Sequence, residues 1–159
     1  MGSRFKINLA YIAGFLDGDG SLMLQIKKRK DGRFHYRFMA TICFYQDSRH
    51  EKSLHWIKKV LGVGYLSTRN DGMSELRING FEAIHEIMKN LLPYIRFKKN
   101  QAQAIYKSVN LLAKKRINGL TKKDLLRLVK LILIIQKNNY ATRTKKTESE
   151  LYAILGLTP

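Results

Sequence analysis

The chain is short of cysteine, proline and acid, and each shortage removes a class of protein. One cysteine, Cys43, among 159 residues leaves no pair for a disulfide framework and too few thiols for a cysteine-built zinc site. Only two prolines occur, no Ser- or Pro-rich tract suggests a linker, and one domain is expected at this length. No run approaches the roughly 18 apolar residues that span a bilayer, so no membrane helix and no membrane partner are expected. Met1-Gly2-Ser3 is followed by no apolar signal region, and residues 1–7 read as a leader. Only 12 residues are acidic against 30 Lys and Arg, a net charge of +18. With 45% hydrophobic residues the chain can still bury a core, which excludes a disordered basic tail. What is present in excess is positive charge on a folded domain. A polyanion is then the leading partner, because its condensed counterions are released on binding.

Hydrophobic periodicity orders the elements. Residues 8–17 read as a short apolar helix with Asn8 as N-cap. From Ser21 to Lys30 the chain alternates, with Leu22, Leu24 and Ile26 on one side and Met23, Gln25, Lys27 and Arg29 on the other. Asp31-Gly32 signals a hairpin turn. The return strand, Arg33 to Tyr45, sends Tyr36, Phe38, Ala40, Ile42 and Phe44 one way and Arg37, Met39, Thr41 and Cys43 the other. Ser48 and Glu51 have capping-box spacing ahead of a helix closed by Gly62 and Gly64. A second hairpin spans about 64–69 and 73–79, and helices are expected over 81–91, 96–114, 121–137 and after Thr147. The fold class is therefore α+β. An α-β-β-α-β-β-α unit forms one four-stranded antiparallel sheet with helices on the apolar face. Its core covers 8–137, followed by a basic loop and short helix over 138–159.

The opposite sheet face is left open and basic, carrying Gln25, Lys27, Arg29, Arg33, Arg37, Arg69 and Arg77, with Met23, Met39, Thr41, Cys43, Ser67 and Glu75 among them. A two-stranded ribbon fits the DNA major groove, where Arg and Lys read guanine and Gln reads adenine. Nine or ten strand residues span roughly 30 Å, close to one DNA turn of about 34 Å. Lys115, Arg116, Arg143 and Lys145 fall in clusters suited to phosphate, contacts that position a protein on a duplex without reading it.

Two acids stand where such a ligand should disfavour them. Asp17 and Asp19 end the first helix and precede a half-buried strand, a costly position beside phosphate unless a cation intervenes. Mg²⁺, a hard ion that often takes one or two carboxylates plus phosphate oxygens, suits it. A calcium loop of the EF-hand type fails, since it needs Gly and Glu where Leu22 and Lys28 stand. A simple Asp-Gly turn remains open. Ala10, Gly14 and Gly18 recur every four residues, a bare stripe on which a second copy can pack and set two Asp19 carboxylates side by side.

Ile12-Ala-Gly-Phe-Leu-Asp-Gly-Asp-Gly20 resembles the signature of the LAGLIDADG homing endonucleases, with five of nine positions identical. Gly62-Val-Gly-Tyr65, the run Leu92 to Ala102 and the basic segment before Thr147 are similar to the single-motif, intron-encoded subgroup typical of algal chloroplasts. The resemblance implies a homodimer joined through Ala10, Ala13, Gly14, Asp17 and Gly18. It implies Mg²⁺-dependent cleavage of both strands of a long pseudo-palindromic DNA site, leaving 3′ overhangs and initiating intron mobility. Mn²⁺ would substitute, and Ca²⁺ would support binding without cleavage. By motif position Asp19 matches the metal-binding carboxylate, the Gly18 carbonyl an auxiliary ligand, and Asp17 an acid serving helix-end structure. Gln46 matches a residue that orients water, and Lys98 the basic residue near the scissile phosphate. His50, counted with Asp19, Gln46 and Lys98 among the residues the resemblance assigns to catalysis, stands where close members carry arginine. The resemblance also implies an organellar protein, in chloroplast or mitochondrion. A non-cleaving binder on the same fold, an intron RNA maturase acting on its own group I intron RNA or a transcription regulator, is the alternative.

Overall fold

Leu9, Ile12, Ala13 and Leu16 recur at helical spacing and are buried along one side of α1 (Ser3–Asp19). The helix starts at Ser3 and not after Asn8, because no residue between them breaks it, and Gly2 ends it without a side-chain cap. The computed structural model describes residues 2–31, 33–139 and 144–157. Gly20 turns the chain into β1 (Ser21–Lys28), so close to the helix that an added Cβ would lie 2.8 Å from the Leu16 Cα and 2.9 Å from its carbonyl oxygen. Only glycine lets the strand leave this close to the end of α1.

β1 pairs antiparallel with β2 (Tyr36–Asp47), in a register running from Ser21 opposite Cys43 to Lys28 opposite Tyr36. The hairpin is less regular at its tip than alternation implies. Both strands stop short of Asp31-Gly32, the Arg29 N–H donates to the His35 carbonyl at 2.7 Å, and Arg29 and Arg33 lie in the connection and not in strands. Gly32 itself lies outside the described residues. β2 continues two residues past Tyr45 into a single 3₁₀ turn, Ser48–His50, before α2 (Lys52–Leu61). The expected capping box is not formed there. The Asp47 carboxylate accepts from the Arg49 N–H at 2.9 Å, while Glu51 accepts from the buried Ser74 hydroxyl at 2.9 Å. The earlier acid wins because the chain turns one residue before Ser48.

β3 (Tyr65–Thr68) and β4 (Met73–Asn79) form the second hairpin, followed by α3 (Phe81–Leu91) and a 3₁₀ turn at Pro93. Then come α4 (Lys99–Lys115), α5 (Lys122–Asn138) and α6 (Glu148–Leu155). The antiparallel sheet has the order β1-β2-β4-β3, so the longest strand pairs with both hairpins. Leu22, Leu24 and Ile26 of β1, Phe38, Ala40, Ile42 and Phe44 of β2, and Leu76 and Ile78 of β4 point into one core shared with the helices. The fold is α+β, with helices on one sheet face. No helix among the described residues is long and apolar enough to cross a membrane.

Candidate metal and nucleic-acid site

The end of α1 and the start of α4 are tied to each other by two opposite charges. Asp17 is buried, and its carboxylate accepts the backbone N–H groups of Arg96, Phe97 and Lys98 at 2.5, 3.1 and 3.0 Å. Those donors precede the first turn of α4, where a negative charge is favoured. In return the Lys98 ammonium donates to the carbonyls of Leu16, Asp17 and Gly18 at 3.0, 2.5 and 3.0 Å, the negative end of α1. Half-burial pushes the Lys98 pKa below its usual value, against the opposing pull of Asp17 and Asp19.

Asp19 is treated differently. It is exposed and forms no ion pair with any described residue. With Gly18 and Lys98 it lines a cleft of about 900 Å³ whose walls also include Met23, Gln25, Lys27 and Arg69. The described residues hold no group of three or more His, Cys, Asp or Glu able to cage a metal. One uncommitted carboxylate beside helix-end carbonyls is instead the donor set for a hard cation that completes its shell with phosphate oxygens and water. The residues present fit Mg²⁺ on those terms.

Gln46 and His50 do not line this cleft. The Gln46 side-chain oxygen accepts from the Asp47 N–H at 2.9 Å, and His50 is exposed on the 3₁₀ turn.

The sheet face is only partly what alternation implies. Gln25, Lys27 and Arg37 are exposed, and Met23 and Met39 are half-buried. Thr41, Cys43 and Glu75, expected to face DNA, are buried in the single chain. The Thr41 hydroxyl donates to the Asn79 side chain at 2.8 Å. Cys43 lies beneath its neighbours, and burial pushes its thiol pKa up. Glu75 pairs with Arg77 at 2.9 Å and accepts from Ser67 at 3.4 Å, so it orients Arg77 and is not itself presented. Parity places a side chain on a face, but the second hairpin and its long side chains decide what covers it. Arg29 and Arg69 also carry partners, Asp31 at 3.3 Å and Asp71 at 2.7 Å. Lys115, expected at phosphate, is engaged by Asp124 at 2.7 Å, whereas Arg116 is exposed just past α4. Lys145 is exposed, and Arg143 lies outside the described residues.

On α1, Gly14 and Gly18 are exposed, with open space where a Cβ would stand, and Ala10 is half-buried. Ala13 and Asp17, also expected at the interface, are buried within their own chain. The exposed side of the helix carries Ile7 and Tyr11, 65% and 66% accessible, and Phe97 nearby in sequence to Lys98 is 86% accessible. The sequence reading missed these three. Ile7 and Tyr11 sit four residues apart, one helical turn, but Ile7 precedes Asn8, the expected N-cap.

Residues 12–110 match the family profile of the LAGLIDADG endonucleases, and the chain belongs to that family. It is 34% identical over 100 residues to the DNA endonuclease I-CvuI of Chlorella vulgaris, covering 63% of this chain and 62% of that protein. It is 30% identical over 101 residues to the DNA endonuclease I-CreI of Chlamydomonas reinhardtii, covering 64% and 61%. The matched region thus spans less than two thirds of these curated relatives. The fold extends further. A crystal structure of I-CvuI with the I-CreI target in 2 mM Mg, its DNA not cleaved, superposes with a TM-score of 0.81 at 26% identity, covering 98% of this chain and 96% of that one.

Proposed function

We propose that the chain is a site-specific double-strand DNA endonuclease that works as a homodimer and uses Mg²⁺ or a comparable divalent ion. The observation that carries the reading is Asp19, an uncommitted carboxylate at one end of a basic, groove-sized sheet face. A protein that only bound DNA would gain nothing from a bare acid there. When bound, the ion supplies Lewis-acid activation of water and stabilises the leaving oxygen of the phosphodiester. Asp19 would hold it, with the Gly18 carbonyl as a second oxygen. Gln25, Lys27 and Arg37 point outward for base edges, and Arg77, oriented by Glu75, joins them. Arg116 and Lys145 suit phosphates. The two symmetric copies would each address one strand, which suits a pseudo-palindromic site and staggered ends.

Asp19→Asn should leave affinity for the selected DNA site unchanged or higher while Mg²⁺-supported cleavage of both strands disappears. Cleavage selection from a randomised DNA library, with Ca²⁺ as the binding-only comparison, supplies the site. An Asn variant that still cuts would overturn the metal assignment. Binding to intron RNA with no DNA cleavage by the unmodified protein would favour the maturase alternative. Phe38 and Phe44, buried in the core, offer no stacking platform for single-stranded bases on the open face.

A further inference from the structure

An ammonium already sits at the place where the cation is expected. Lys98 directs its three N–H donors at three successive carbonyls of α1, and the last of them, Gly18, adjoins Asp19. The negative end of a helix attracts positive charge whatever its source. A metal ion and an ammonium cannot both take the inner lone pairs of one carbonyl without strong mutual repulsion at this separation. We propose that the Lys98 ammonium is the resting occupant of the cation site, and that a divalent ion binds Gly18 and Asp19 only as Lys98 releases the Gly18 carbonyl. The inference rests on the metal site proposed above and adds a positioning role to Lys98.

The surrounding geometry allows that release without unfolding anything. The backbone of residues 96–98 is fastened separately, through three N–H bonds to the buried Asp17 carboxylate. Only the flexible Lys98 stem has to move. Its head remains within the cleft lined by Asp19, where a phosphate would enter. Occupation of the site and delivery of a positive charge to the phosphate are thereby the same event, and in the absence of DNA the ammonium holds the cation affinity down.

The test is Mn²⁺ binding to the DNA-free protein, followed by the electron paramagnetic resonance signal of free Mn²⁺. Lys98→Met should tighten binding about tenfold or more. Lys146→Met removes a charge from the same cleft without touching α1's carbonyls and should change it less than about twofold. Unchanged or weaker binding by the Lys98 variant, or an equal gain in both, overturns the proposal. Asp19→Asn should abolish the binding. If it does not, the metal site itself is misplaced; if it does while Lys98→Met fails to tighten, only the role of Lys98 falls. Should Lys98→Met fail to fold, ¹⁵N-lysine ammonium NMR on the unmodified protein gives the same decision. The Lys98 signal should be protected from solvent exchange and should shift and lose that protection with Mg²⁺. A signal indifferent to Mg²⁺ overturns the proposal.

Discussion

Asp17 and Asp19 differ in one respect that decides their work: the first is surrounded by donors and the second is not. Asp17 accepts three backbone N–H groups, so replacing it with Asn removes charge from a buried acceptor that α4's first turn depends on. Hydrogen bonds to charged groups contribute about 1.5–3 kcal/mol each. Asp17→Asn should therefore destabilise the protein by about 2 kcal/mol or more in urea denaturation. DNA cleavage per folded molecule should survive, the opposite pattern to Asp19→Asn. Both acids were legible in the sequence as anomalies, because each stands in a strongly basic chain just after an apolar helix. Their separate partners were not legible, since the donors to Asp17 come from a segment about eighty residues away. The burial of Thr41 and Cys43 was hidden for a similar reason. Alternation gives the side of a sheet, and only the packed neighbours give its depth.

At the scale of elements, the caps explain which boundaries sequence reading found. The α5 and α6 boxes, Thr121 with Asp124 and Thr147 with Glu150, form reciprocally, and both helix starts fall where the spacing puts them. Ser48 and Glu51 have the same spacing but form no box, because Ser74 of β4 offers both side chains a partner. A local pattern holds only where no tertiary partner competes. Asp124 also makes the fold sensitive to acid. The Lys115 ammonium and the Thr121 donors lower its pKa from 3.8 to about 2. Its folded pKa is depressed, so its contribution to stability is complete above the ordinary value and is lost as pH falls through about 2. Urea denaturation followed against pH should show a steeper loss between about 4 and 2 for the unmodified protein than for Asp124→Asn.

For the whole molecule, the exposed side of α1 is the surface on which the proposed dimer depends. Gly14 has nothing within 4 Å of where a Cβ would lie, so a larger side chain costs the single chain nothing. Helix propensity even favours it, since Gly is about 0.8–1.0 kcal/mol worse than Ala in a helix interior. Gly14→Leu should thus give a folded monomer, as stable as the unmodified chain or more so, that no longer dimerises or cuts. Sedimentation velocity with circular dichroism separates this from misfolding, and an intact dimer would refute the helix-to-helix interface. The stripe was readable from Ala10, Gly14 and Gly18. Its apolar flank was not, because Ile7 precedes the expected N-cap Asn8 and Phe97 stands in a turn with no periodicity to reveal it.

The β1–β2 hairpin is regular at one end and irregular at the other. Its register is pinned at Ser21 and Cys43, beside Gly20 and the close approach to Leu16, whereas the ladder ends at Lys28 and Tyr36, well before the turn. On the proposed DNA-reading role of the sheet face, mutations, insertions and deletions at residues 29–35 should alter which outer bases are recognised without moving Asp19. If the chain cuts DNA as proposed, such a hairpin would let a lineage drift toward new target sequences while the Asp19 end stays fixed, and it is the natural place to begin redirecting specificity by design.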